Sequence, residues 1–117
     1  MSWRTLDAQP PQVIAHRGAS GLLPEHTLAA YALGLGQGAD VVEPDLVPTR
    51  DGALVARHEP GLARSTDVFD RGEFSHSMRE GDWWSTDFEL ADLRRLRARQ
   101  PFEGRSDRHD GLHSVPG

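Results

Sequence analysis

Apolar side chains are concentrated in the first half of this chain: of 21 Val, Ile and Leu residues, 15 fall within the first 62 positions. Within that half the periodicity switches between strand and helix. Val13-Ile14-Ala15, following Pro10-Pro11, is a short run with β-branched residues that suits a buried strand. From Thr27 to about Gln37, Leu28, Tyr31, Ala32 and Leu35 recur at helical spacing, with Gly38 as a natural stop. Ala39 to Val47 reads as a second strand, in which Pro44 removes a ladder donor and predicts a local bulge or edge. Asp51-Gly52 is a tight-turn signal into Ala53 to His58, so these two strands are expected to pair as a hairpin. Later, Thr86-Asp87-Phe88-Glu89 fits a capping box ahead of Leu90, Leu93 and Leu96 on one helical face. From Arg99 to Gly117 only Phe102, Leu112 and Val115 are large and apolar, so this tail reads as loop or disorder. The order strand, helix, strand within residues 13–47 is a βα unit leading to a parallel partner, and it implies an α/β fold.

Composition narrows the chemistry. A length of 117 residues suits one small domain. The absence of Cys excludes a disulfide scaffold, a thiolate nucleophile and any metal site built on Cys. All 13 basic residues are Arg, which excludes lysine Schiff-base chemistry and a P-loop lysine. A net charge of −5 argues against a nucleic-acid or anionic-membrane surface. No apolar run is long enough to span a bilayer, and Met1 to Asp7 lacks the apolar core of a signal peptide. The expectation is a cytoplasmic product as written, with no membrane insertion.

Three polar clusters sit just past apolar strands, at the carboxyl edge where α/β sheets keep their sites. They are His16-Arg17-Gly18-Ala19-Ser20-Gly21, Glu43-x-Asp45, and His58-Glu59. With a strand period of two, Glu43 and Asp45 are expected on one face. Paired carboxylates suit Mg²⁺ or Ca²⁺, and two histidines can act as general base and general acid in one cycle. Arg17 offers a forked donor that matches phosphate. Taken singly, a histidine after a strand is more often structural, and Glu-x-Asp is more often a solvated face. In conjunction they form a kit for phosphodiester cleavage. Trp83-Trp84 reads as a packed anchor rather than a substrate-facing pair. Asp107-Arg108-His109-Asp110 reads as a solvated loop. Gly18 and Gly21 suit either a turn or a close approach of backbone amides to phosphate.

These residues resemble the glycerophosphodiester phosphodiesterase family. The likeness opens at Ile14-Ala15-His16-Arg17-Gly18-Ala19-Ser20-Gly21 and Leu23-Pro24-Glu25-His26-Thr27. It continues through Gly38 to Asp45, Thr49-Arg50-Asp51-Gly52, Val55-Ala56-Arg57-His58 and Leu62 to Val68, into the helix Phe88 to Leu96. His26, where many members carry Asn, is similar to the periplasmic-type bacterial branch, and a lost upstream signal would place the product there. The resemblance implies the N-terminal portion of a TIM (β/α)₈ barrel of the PLC-like phosphodiesterase type, truncated. A complete barrel needs about 250 residues. It implies an N-terminal extension over 1–11, a partial catalytic domain over 12–98 and a loop-like tail of that domain over 99–117.

It further implies hydrolysis of glycerophosphodiesters to glycerol 3-phosphate and an alcohol, with Ca²⁺ or Mg²⁺ as cofactor and a small-molecule substrate. His16 and His58 match the catalytic acid/base pair, Arg17 the phosphate-contacting arginine, and Glu43 and Asp45 two of the metal-binding carboxylates. Glu25 belongs to the same motif, with a role either at the helix start or behind the site. Two departures stand out: Glu59 replaces the usual Asp after the second histidine, and the family's third metal carboxylate lies on a later strand than this chain reaches. An open barrel leaves apolar strand faces and edge amides unpaired, so the expected activity of the chain is weak or absent. The competing readings are an inactive truncated product and a phospholipase-type phosphodiesterase with another substrate.

Overall fold

A computed structural model of the chain describes residues 3–117. In chain order these form strand β1 (Ile14–His16), helix α1 (Leu28–Gly36), and strands β2 (Val41–Glu43), β3 (Leu46–Pro48) and β4 (Leu54–Ala56). Three 3₁₀ turns (Val68–Asp70, Gly72–Ser77 and Ser85–Asp87) and a one-turn helix α2 (Leu90–Leu93) follow.

β1 and β2 pair in parallel, with Ile14 opposite Val41, Ala15 opposite Val42 and His16 opposite Glu43. The βα unit expected from the alternation of periods is therefore present. Its entrance is closed by Asp40, whose carboxylate accepts the Val13 amide at 2.8 Å while its own amide donates to the Val13 carbonyl. α1 begins at Thr27, whose hydroxyl accepts the Ala30 amide at 3.1 Å and donates to the Pro24 carbonyl. It packs on β1 through small residues: Ala30 and Gly34 are buried, and a Cβ on Gly34 would sit 2.9 Å from that of Ala15.

Two burial expectations fail here. Val13 and Ile14 are 57% and 58% exposed, and Leu28 and Leu35 are 71% and 50% exposed. α1 covers only one flank of β1, and it does so with its narrow Ala/Gly side. Its leucine stripe and the opposite flank of the strand are left open.

The long strand expected over Ala39 to Val47 is two strands, because Pro44 and Asp45 break the ladder between β2 and β3. β3 then pairs antiparallel with β4, Val47 opposite Val55, as the Asp51-Gly52 turn implied. The buried apolar cluster gathers on this hairpin, where Val47, Val55, Leu62, Val68, Phe74, Trp83, Phe88, Leu93, Leu96 and Val115 pack together. Trp83 belongs to it as an anchor, its indole N–H donating to the Phe74 carbonyl at 2.7 Å.

The capping box is shifted from its expected position. Glu89 is the cap and Asp92 its reciprocal partner, so the helix starts at Leu90 and stops after one turn. Asp67 captures the Arg97 amide at 2.8 Å, which diverts the chain after Leu96 into a bridge between Thr66 and Ala98. The tail has no long regular element, yet it is ordered by backbone bonds. Ala98 donates to His113, Gly111 to Ala98, and Ala56 to Pro116. These bonds seat Val115 in the core at 4% exposure, and the disorder alternative is set aside.

Candidate active site

The parallel register brings His16 and Glu43 side by side at the carboxyl edge, and the Arg17 amide extends the ladder to the Glu43 carbonyl at 3.0 Å. His16 Nε2 lies 3.8 Å from Glu43 Oε2, with the histidine largely exposed. The chain then turns sharply. Arg17 and Gly18 both have positive φ, 61° and 81°. A Cβ on Gly18 would lie 2.7 Å from the Ala30 carbonyl carbon, so this glycine serves helix–strand packing, and Gly21 stands in open space.

The turn tucks the Arg17 side chain inward until it is 14% exposed. Its Nη1 donates to Glu25 Oε2 at 3.1 Å, and its Nε, 3.7 Å from Asp45 Oδ2, is buried with no hydrogen-bond partner. Glu25, itself buried, thus holds the arginine from behind rather than capping the helix. The loop closes where the His26 amide donates to the Arg17 carbonyl at 3.0 Å, His26 also having a positive φ of 60°.

Glu43 and Asp45 do not share a face of one continuous strand, because β2 ends at Glu43. They still gather at one edge: Glu43 lies beside His16, and Asp45 beside Arg17 and His26. His58 follows β4, whose next residue, Arg57, donates its amide to the Asp45 carbonyl at 2.9 Å. His58 is half-exposed, and its Nδ1 donates to Glu59 Oε2 at 2.7 Å. The bond leaves Nε2 of His58 free. The longer Glu thus still reaches the ring where the family usually carries Asp.

Behind His58 the Arg57 guanidinium is buried, and desolvation lowers its pKa against the pull of Glu59, Glu25 and Asp82. It donates to the carbonyls of Glu59 and Gly61 and to Ser65 Oγ, stapling the loop that carries the histidine.

Several contributors carry no signal in the sequence. The tail returns to the first loop, where Gln100 and Arg105 both donate to the Ser20 carbonyl. The Arg64 and Arg105 guanidinium groups both lie over the Phe102 ring, at 4.5 and 4.4 Å from its centre. A cavity of about 90 Å³ is lined by His16, Arg17, Ser20, Glu25, Phe102 and Arg105. No local spacing links residues 102 and 105 to residues 16 and 17, so only the folded loop brings them together.

The donor chemistry suits a hard divalent cation in part. Glu43 Oε2 is buried without a hydrogen-bond partner, and Glu43 and Asp45 are oxygen ligands of the kind Ca²⁺ and Mg²⁺ take. Among the described residues no group of three or more His, Asp or Glu side chains converges as a metal site. The pair is therefore a partial set. The Trp84 indole N–H donates to the Arg79 carbonyl, and neither Trp84 nor any of Asp107 to Asp110 lines that cavity.

The family model described as the glycerophosphoryl diester phosphodiesterase family matches residues 16–115. The chain belongs to that family. Among curated relatives, it is 34% identical over 96% of its length to glycerophosphodiester phosphodiesterase GDPD6 of Arabidopsis thaliana. It is 43% identical over 78% of its length to the glycerophosphodiester phosphodiesterase of Haemophilus influenzae. It spans 32% and 25% of those two proteins.

Among solved structures, the glycerophosphodiester phosphodiesterase of Agrobacterium tumefaciens superposes with a TM-score of 0.70 at 31% identity, covering 92% of this chain and 39% of that one. A phosphodiesterase of Oleispira antarctica, solved in complex with the product sn-glycerol-3-phosphate, superposes with a TM-score of 0.64 at 33% identity. It covers 91% of this chain and 36% of that one. The fold is thus the N-terminal portion of the family's α/β barrel. No helix among the described residues is long and apolar enough to cross a membrane.

Proposed function

We propose that this chain supplies the phosphate-handling part of a divalent-metal-dependent hydrolase that converts glycerophosphodiesters to glycerol 3-phosphate and an alcohol. The observation that carries the reading is the meeting of His16, Arg17, Glu43 and Asp45 at the carboxyl edge of one parallel strand pair. The product bound in the Oleispira antarctica relative supports the substrate class.

In this reading the glycerol hydroxyl next to the diester attacks phosphorus while one of His16 and His58 takes its proton. The other histidine protonates the departing alcohol oxygen as its P–O bond breaks. Water then opens the cyclic phosphate, with the two proton transfers reversed. Glu59 fixes the His58 ring through Nδ1 and leaves Nε2 for the proton transfer. Arg17 meets the non-bridging oxygens, and Glu25 holds its guanidinium in place while Nε keeps an unused donor. Glu43 and Asp45 would hold part of the coordination of Ca²⁺ or Mg²⁺, which when bound neutralises charge developing on the phosphoryl oxygens.

The test has two arms on the purified chain with Ca²⁺ or Mg²⁺. Binding of sn-glycerol 3-phosphate by calorimetry is expected for the unaltered chain and is expected to weaken at least about tenfold in Arg17→Ala. Glycerol 3-phosphate release from glycerophosphocholine is expected to be weak and to fall to background in His16→Ala and His58→Ala. Release no greater than the His16→Ala control refutes turnover by this chain alone, and product binding indifferent to Arg17 refutes the phosphate assignment.

A further inference from the structure

Behind Asp45 runs a line of side chains that the proton transfers above do not use. His26 Nε2 lies 3.1 Å from Asp45 Oδ2, and His26 Nδ1 lies 2.5 Å from the Tyr31 hydroxyl. The His26 side chain is only 3% exposed, so neither ring nitrogen has ready recourse to water. The two rings meet edge to face, their centroids 6.0 Å apart.

The hydrogen-bond directions follow from the donor inventory. An ionised Asp45 only accepts, so the bond at 3.1 Å requires the proton on Nε2. A neutral imidazole then has only an acceptor at Nδ1, and Tyr31 must be the donor there. Burial and the charges of Glu43, Asp45 and Glu25 push the Tyr31 phenol up to about 12, which keeps its hydroxyl a donor.

The contacts on Asp45 are one-sided. His26 and Arg17 both approach Oδ2, at 3.1 and 3.7 Å. Among the described residues no hydrogen bond to Oδ1 is formed. The backbone holds His26 there as well, since His26 and Arg17 both have positive φ and are joined by the His26 amide bond to the Arg17 carbonyl.

We propose that Tyr31 and His26 are positioning residues for Asp45. The Tyr31 hydroxyl locks His26 in the Nε2–H tautomer, and that N–H holds Oδ2 so that Oδ1 is presented to a divalent cation. The cation part of this inference rests on the metal-dependent reading above; the tautomer part does not.

The experiment uses the full chain at neutral pH. Side-chain ¹⁵N spectra are expected to show His26 with a protonated Nε2 and an unprotonated Nδ1. In Tyr31→Phe, which keeps the ring and removes only the hydroxyl, the His26 resonances are expected to move toward a tautomer mixture. Calorimetric titration with Ca²⁺ alone is expected to show affinity reduced about 10- to 100-fold in Tyr31→Phe, the range typical of partners behind a metal ligand. The control Leu28→Ala, on the exposed side of α1, is expected to leave it unchanged.

A His26 found as the Nδ1–H tautomer or as an imidazolium overturns the proposal, as does a Tyr31→Phe variant with wild-type spectra and wild-type affinity. A wild-type chain that shows the Nε2–H tautomer but takes up no Ca²⁺ overturns the presentation of Oδ1 and the metal reading, while the tautomer lock stands.

Discussion

A methyl group added at position 18 would run into the backbone of α1. It would approach the Ala30 carbonyl carbon to 2.7 Å at a φ of +81°, where L side chains are disfavoured. Gly21, three residues on, has nothing within 4 Å of a built Cβ and no positive φ. Gly18→Ala is therefore expected to cost at least about 1–2 kcal/mol from backbone strain alone, with the clash adding to it. Gly21→Ala is expected to stay within about 0.5 kcal/mol of wild type. Urea denaturation of the two variants checks the contrast, and equal midpoints would contradict it. Arg17 and His26 adopt the same left-handed region without glycine's freedom. The strain at these two positions is held by the ion pair to Glu25 and the contacts to Asp45, so, among the described residues, two of the four left-handed non-glycine residues, the others being Ala8 and Glu80, lie beside the candidate chemistry.

Between elements, small side chains and carboxylates decide the docking. α1 approaches β1 through Ala30 and Gly34 because only a narrow side allows so short a separation. The spacing of Leu28, Tyr31, Ala32 and Leu35 revealed the helix but not which side the strand would cover. The hairpin is joined to α2 by Asp51, whose Oδ1 accepts the Thr49 hydroxyl and the Leu90 amide at 3.1 Å. Those bonds, the Thr49 one foremost, hold the Asp51 carboxyl below its ordinary value of 3.8. A depressed carboxyl contributes stability that is full above the unfolded pKa and is lost as pH falls through the folded one. Asp51→Asn is expected to lower the melting temperature at pH 7. The gap to wild type should be constant down to about pH 4 and narrow below it. A gap that persists unchanged at pH 2 would show that Asp51 acts there by shape and not by charge.

At the scale of the molecule, apolar burial is lopsided. The core lies on the β3–β4 hairpin and the loops after it, while Val13, Ile14, Leu28, Leu35 and Val41 around the parallel pair are 40% or more exposed. The radius of gyration is 16.4 Å, against about 13–14 Å for a compact domain of this length. Apolar surface left open in this way associates or binds apolar probes. The isolated chain is expected to self-associate with rising concentration in sedimentation velocity and to enhance the fluorescence of a naphthalene-sulfonate dye. A monodisperse monomer that leaves the dye dark would contradict the exposed state of the parallel pair.

The order of periods along the chain determined the βα unit, the hairpin and the placing of His16, Arg17, Glu43, Asp45 and His58 at strand ends. These are local properties: a strand, a tight turn and the residue just past a strand are written in a few neighbouring side chains. Glu25 was legible as part of a motif, but its pairing with Arg17 depended on a turn with positive φ. Only the tertiary structure decided which side of α1 is buried, that the interruption at Pro44 separates two strands in different sheets, and that Val115 and Arg105 return to the core and the cavity. It alone joined Tyr31 to Asp45 through His26. Such contacts span up to 85 residues of chain and are set by which surfaces fit together, a property that no local period encodes.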